Sequence, residues 1–185
     1  MGSVSFSGVR LIEPDAGYLA SFLEAERESR DAGVYEFSQL PKKYVKNEIN
    51  FAKYLRRLHN CRYGKGLKRG AVPYTSFWLT DETTATFIGQ ANIRHYLTED
   101  LATFGGHIGY AIRPGMWGRG YGTLQLSLLL PEAKRLGIRI ARLTCYADNI
   151  PSARVIEKNG GVRAGESYND RTGVTRKILL YDIKL

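Results

Sequence analysis

Cysteine is scarce in this chain, with only Cys61 and Cys145 among 185 residues. Two are too few for a disulfide framework or a cysteine-built zinc site. Long apolar runs are missing as well; the longest fall far short of the roughly 20 residues that span a bilayer. No basic segment followed by an apolar core opens the chain, so no signal peptide is read there. Phe6 stands where an N-myristoylation signal wants Ser or Thr. Repeats, low-complexity tracts and interdomain linkers are absent too. These absences point to one domain, residues 1–185, in the cytoplasm, with no membrane partner.

Acid is the other deficit. Lys and Arg number 27 against 18 for Asp and Glu, a formal net charge of +9. That balance favours acidic partners: nucleic acid, a membrane surface or a polyanionic small molecule. Arg56, Arg57, Arg62, Lys65, Lys68 and Arg69 crowd one stretch with no acid among them. They read either as a solvated helix end and loop or as a rim facing substrate or cofactor. Nucleic acid is disfavoured, because no helix-turn-helix, RNA-recognition or zinc motif accompanies the charge.

What is present reads as alternating elements of a mixed α/β domain. Gly8–Ile12 is a short strand. Pro14 and Asp15 open a helix with Tyr18, Leu19, Phe22, Leu23 and Ala25 on its apolar face. Gly33–Leu40 is loop. A second helix starts at Pro41 and carries Tyr44, Val45, Ile49, Phe51, Ala52, Leu55 and Leu58. Tyr74–Thr80 and Thr84–Tyr96 are strands, with a bulge at Gly89. Thr98–Phe104 is loop and His107–Arg113 is strand. A helix over Tyr121–Leu136 follows, with Leu124, Leu128, Ala133 and Leu136 toward the core, Pro131 inside it and Gly137 ending it. Ile138–Tyr146 is strand. Asp148 or Asn149 caps a helix that runs to Lys158. A hairpin of Val162–Asn169 and Val174–Lys184 turns through residues 170–173. The expected sheet is largely antiparallel, of about seven strands flanked by four helices, with one right-handed crossover.

The densest information lies in residues 106–123. An apolar strand enters a turn in which Gly118, Gly120 and Gly122 alternate, and the turn opens a long helix. A helix start offers unpaired N–H groups and the positive end of a dipole, so the turn suits an anion, most naturally a phosphate. A dinucleotide fingerprint wants a different glycine spacing near the start of a βαβ unit, and a nucleotide P-loop wants a lysine that this turn lacks.

These residues resemble the GNAT superfamily of acyl-CoA-dependent N-acetyltransferases. The frame Trp117-Gly118-Arg119-Gly120-Tyr121-Gly122 is similar to that family's Arg/Gln-x-x-Gly-x-Gly/Ala signature, with Trp117 in place of Arg or Gln. That replacement is familiar in the branch of the ribosomal-protein alanine acetyltransferases. Asn149-Ile-Pro-Ser152 leading to Glu157-Lys158-Asn159-Gly160 matches a second motif of the family. The resemblance covers most of the chain and is strongest over residues 107–161.

It implies acetyl-CoA as co-substrate and no metal. The pyrophosphate would lie on the N–H groups of Gly118, Arg119, Gly120, Tyr121, Gly122 and Thr123. Arg119 would add a charge-assisted bond, and Trp117 would pack on the cofactor or on the core. The pantetheine arm would pair with the backbone of Tyr110, Ala111 and Ile112, as an added strand does. Asn149 would bond pantetheine, cap its helix, or do both. The acceptor would be a primary amine of a small molecule or peptide, an acidic one fitting the basic stretch, and homodimers are compatible with the family.

For chemistry, the family often draws a base or an ordered water from the strand before the turn. His107 holds that position, allowing a one-residue gap, and a histidine suits a base at neutral pH. It reads equally well as a histidine that bonds a neighbouring strand or the substrate. His95 is second in line, and His59 reads as surface. The family's tyrosine acid, seven residues after the motif Asn, is here Ile156. Ser152 takes that role in the alanine-acetyltransferase branch, with Tyr146 as a fallback. An acyl-Cys145 intermediate is disfavoured, since the family transfers directly and a cysteine at a strand end is usually packing. The missing tyrosine leaves a second reading open, a non-catalytic CoA-binding or sensing module of the same fold.

Overall fold

A computed structural model describes residues 6–34, 48–170 and 173–185. The start of the second helix, with Tyr44 and Val45, and the tip of the last hairpin lie outside these residues. The chain runs β1 (Val9–Ile12), α1 (Leu19–Asp31), α2 (Glu48–Cys61), β2 (Tyr74–Asp81), β3 (Thr86–Arg94), α3 (Glu99–Thr103), β4 (Ile108–Ile112), α4 (Tyr121–Arg135), β5 (Ile140–Tyr146), α5 (Ile150–Lys158), β6 (Val162–Asn169) and β7 (Arg176–Lys184). A single 3-10 turn, Ala16–Tyr18, precedes α1 and is capped by Asp15.

The seven strands divide into two antiparallel sheets, β1-β2-β3-β4 and β5-β7-β6. The bulge expected at Gly89 is there, as a register shift opposite Leu79 and Thr80. The loop expected over 98–104 contains α3. Thr98 accepts the Leu101 N–H as N-cap, and Glu99 and Asp100 suit the positive end of the turn that follows.

Both faces of the first sheet are covered. On one face α1 and α2 bring Phe22 and Phe51 onto Trp78 and Phe87, with the Phe22 and Trp78 rings stacked 5.0 Å apart. On the other face α4 and α5 join both sheets in a core that includes Ile93, Ile108, Leu126, Leu129, Leu143 and Ile156. Ile156 is fully buried there, so the position of the family's tyrosine is spent on packing.

The buried stripe of α4 is Gln125, Leu126, Leu129 and Ala133. Ala133 was expected there. Leu124 and Leu128 instead pack, partly buried, on Val9, Leu79 and Ile88. The stripe differs because α4 fills the angle between two sheets and is apolar on more than one side. Gly137, with a φ of +85°, ends the helix as expected.

β4 and β5 are the facing edges of the two sheets. They meet only at their base. There the His107 N–H donates to the Arg142 carbonyl (2.7 Å) and the Gly105 N–H to Thr144 Oγ1 (2.9 Å). A Cβ on Gly106 would lie 2.4 Å from the Arg142 carbonyl oxygen, so only glycine lets the strands touch there. Above this point no backbone hydrogen bond joins Ile108–Ile112 to β5, and a slot opens between the two edges.

Candidate active site

One end of the slot is closed by the glycine turn. Gly118 and Gly120 have φ values of +74° and +87°, which L side chains adopt only with strain. Gly120 is the N-cap of α4 and supplies no side chain to cap it, and the first turn holds no acid. The leading N–H groups of a 15-residue helix therefore face the turn without a side-chain acceptor. Arg119 is exposed beside them, with no ion pair among the described residues. Gly122 serves another purpose. Its backbone is ordinary, and a Cβ there would press on Val155 Cγ2 at 3.3 Å, so it lets α4 and α5 approach.

Trp117 packs into neither core nor floor. It stays 51% exposed, and its indole N–H donates to the Ile112 carbonyl at 2.7 Å, fastening the turn to the end of β4. The segment before the turn is held from the other side. Arg113, buried, donates from Nε and Nη2 to the two Glu28 carboxylate oxygens at 3.0 and 2.6 Å. Its Nη1 reaches Ser21 Oγ and the Phe87 carbonyl. Glu28 also accepts the Gly115 N–H, and the Arg113 guanidinium holds its carboxyl below the usual range.

Across the slot, Asn149 caps α5 by accepting the Ser152 N–H at 3.1 Å. Ser152 Oγ lies 3.1 Å from the Tyr110 hydroxyl, joining the start of α5 to β4. Burial pushes the Tyr110 phenol up to about 12, so it remains a proton donor throughout the neutral range. The nearby Cys145 thiol is buried and likewise pushed up by burial, which makes a poor acyl nucleophile. The sequence placed only the backbone of Tyr110 in the site; its hydroxyl was missed, because strand alternation alone does not show which side chain meets α5.

His107 and Tyr146 do not join this pair. His107 Nδ1 accepts the Arg142 N–H at 3.0 Å. The neutral ring then carries its proton on Nε2 and keeps no lone pair for an amine proton. Burial, helped by Arg142, holds the ring below its ordinary pKa. This is the strand-bonding role, and the geometry removes the base role expected for it. The Tyr146 hydroxyl accepts from Asn169 Nδ2, and the Arg176 guanidinium covers its ring at 3.5 Å. His95 is occupied by Thr75 Oγ1 at 3.0 Å, and His59 is exposed.

On the α2 side of the first sheet lies a cleft of about 930 Å³ that reaches Gly109, Tyr110 and Ala111 of β4. Its floor is the polar face of β2 and β3, including Tyr74, Ser76, Gln90 and Asn92, and its walls are α2, residues 68–72 and α3. The period-two run Gln90, Asn92, Arg94 in an otherwise apolar strand is a signal for this floor that the sequence reading passed over. The basic stretch divides. Arg57, Lys68 and Arg69 line the cleft, whereas Arg56 and Arg62 line a smaller hollow with Glu13, to which Arg62 is paired at 2.5 Å.

An uncapped helix start, the open edge of one sheet and a cleft thus come together around one strand, β4. Residues 11–162 match the model described as an acetyltransferase (GNAT) domain, and the chain belongs to that family. It is an N-acetyltransferase by family, and acetyl-CoA is the acyl donor. Solved structures share its fold. The ribosomal-protein-S5-alanine acetyltransferase from Vibrio fischeri is 15% identical with a TM-score of 0.70, covering 100% of this chain and 97% of its own. RimJ of Mycobacterium smegmatis, solved with CoA-disulfide, is 19% identical with a TM-score of 0.69, covering 95% of this chain and 81% of its own. The microcin C7 self-immunity acetyltransferase, solved with acetyl-CoA and AMP, is 16% identical with a TM-score of 0.67, covering 99% of each. No curated protein sequence matches the chain. No helix among the described residues is long and apolar enough to cross a membrane.

Proposed function

We propose that residues 1–185 form one catalytic domain that moves an acetyl group from acetyl-CoA directly to a primary amine seated in the cleft. One observation carries the reading: the backbone of Gly109–Ala111 borders both the cleft and the slot. The coenzyme supplies an activated thioester. The leading N–H groups of α4 and Arg119 bind its phosphates, and the backbone of Tyr110, which the β3 ladder leaves facing the slot, pairs with its arm. The Ile112 carbonyl is already taken by Trp117, so the pairing ends before it.

The amine nitrogen forms the new C–N bond, the C–S bond breaks, and the departing sulfur takes a proton. Ser152, backed by the Tyr110 hydroxyl, supplies that proton and is restored by the one the nitrogen sheds as the amide forms. The amine must enter neutral, which for a lysine-like group costs about 4.6 kcal/mol at pH 7. With His107 occupied, the cationic cleft does much of this work. Arg57, Lys68, Arg69 and Arg94 disfavour a further positive charge and lower the pKa of a bound amine.

Thermal unfolding with and without acetyl-CoA, then thiol release over a panel of amino acids, polyamines, aminoglycosides and peptide N-termini, tests this reading. Stabilisation followed by amine-dependent thiol release is expected. Stabilisation with no release from any amine would instead identify a non-catalytic CoA-binding module. No stabilisation at all would remove the coenzyme from the account.

A further inference from the structure

The cleft that admits the acceptor is charged out of proportion to its surroundings. Arg57 comes from α2, Lys68 and Arg69 from the following loop, and Arg94 from the end of β3. None of the four forms an ion pair with a carboxylate among the described residues. By contrast, Arg62, Arg113, Arg142, Arg163 and Arg176 all do. Arg94 is the informative member. It is half-buried, its Nη1 donates to the Gly105 and Gly106 carbonyls, and burial lowers its pKa. A guanidinium held inward by backbone carbonyls, with no counter-ion among the described residues, has further N–H donors to offer something that enters the cleft. Among the described residues Asp100 is the one acid lining the cleft, against four cations.

We infer that the acceptor is a small amine whose own molecule bears at least two acidic groups, carboxylate or phosphate, which these cations bind. The inference rests on the acetyl-transfer reading and names the substrate class of that site. Guanidinium groups fit either oxyanion through paired N–H donors. A volume of about 930 Å³ lies near the upper end of the range for small-molecule sites, so the acids need not sit next to the amine. Cations on three separate elements suit an acceptor with its charges spread along its length. The same cations would repel polyamines and aminoglycosides.

The test uses the full chain, saturated with CoA for binding and with acetyl-CoA for turnover. The probes are Asp-Asp and Glu-Glu dipeptides for the carboxylate arm and phosphoserine and phosphothreonine, each a phosphate with a carboxylate, for the phosphate arm. Asn-Asn, Gln-Gln, serine and threonine, which lack the added acids, are the neutral partners. For at least one arm, kcat/KM should exceed that of the neutral partner by about tenfold or more at low salt, and the gap should shrink as ionic strength rises. The exposed triple variant Arg57→Gln/Lys68→Gln/Arg69→Gln should bring the ratio to within about threefold. A triple variant with the same charge change elsewhere, Lys134→Gln/Arg139→Gln/Lys158→Gln, should keep it, which separates the cleft from the overall charge.

Equal rates for acidic and neutral partners in both arms, or the same loss in both triple variants, would overturn the inference and leave acetyl transfer standing. Salt-sensitive binding of an acidic probe with no thiol release would keep the inference and overturn acetyl transfer. Calorimetry that detects neither turnover nor binding of any acidic probe overturns the inference as well.

Discussion

At the scale of single residues, the site turns on which hydroxyls and lone pairs remain available. Ser152 caps nothing with its side chain. Its N–H, not its Oγ, serves the Asn149 cap, so Ser152→Ala leaves α5 intact. That variant, and Tyr110→Phe, should lower kcat by about a hundredfold while KM for acetyl-CoA and the thermal midpoint stay close to the parent values. A kcat within about threefold of the parent would take the proton-donor role from the pair. Reading the sequence found Ser152 through its motif and left His107 open between a base or water-organiser and a bond to a neighbouring strand or the substrate, because its place in the chain matched and its Nδ1 bond is invisible there. A histidine next to a sheet junction is spent by whatever backbone amide the neighbouring strand presents, and that amide belongs to Arg142, 35 residues on.

At the scale of elements, the glycine turn and the helix it opens were legible, because backbone demands leave their mark on glycine. The purpose of each glycine was not, since it depends on what lies opposite. Gly120→Ala places an L residue at a φ of +87°, a strain of about 1–2 kcal/mol at the N–H groups assigned to phosphate. Titration should show acetyl-CoA binding weakened by about tenfold. Gly122→Ala directs its methyl at Val155, so it should lower the melting temperature while changing coenzyme affinity by less than about twofold. Equal affinity losses would mean that both glycines face the phosphate. The helix α3 was missed for a different reason: five residues carry too little periodicity to separate a turn of helix from a loop. The division of seven strands into sheets of four and three was also hidden, because strand patterns do not reveal which edges stay apart.

For the whole molecule, acidification should loosen the fold before the surface carboxylates titrate. His107 and His95 are both held below their ordinary pKa, mainly by burial, with Arg142 and Arg62 the next causes respectively. The unfolded chain then binds more protons than the folded one as pH falls below about 6.5, so stability present above that pH is lost through the folded values. Glu28, lowered by Arg113, adds a further loss only below about 4.5, whereas Glu26, raised by burial, works in the opposite direction. Urea midpoints should fall from pH 7.5 to pH 5.5, and His107→Asn should flatten that slope; an unchanged slope would show that this histidine does not couple folding to protons. The gap between β4 and β5 carries one more consequence. It leaves two strand edges bare in the same molecule, and a bare edge accepts any extended chain, not only a pantetheine arm. A ligand paired along β4, as proposed for the coenzyme, would cover backbone groups that otherwise stand open to pairing with a second copy of the chain.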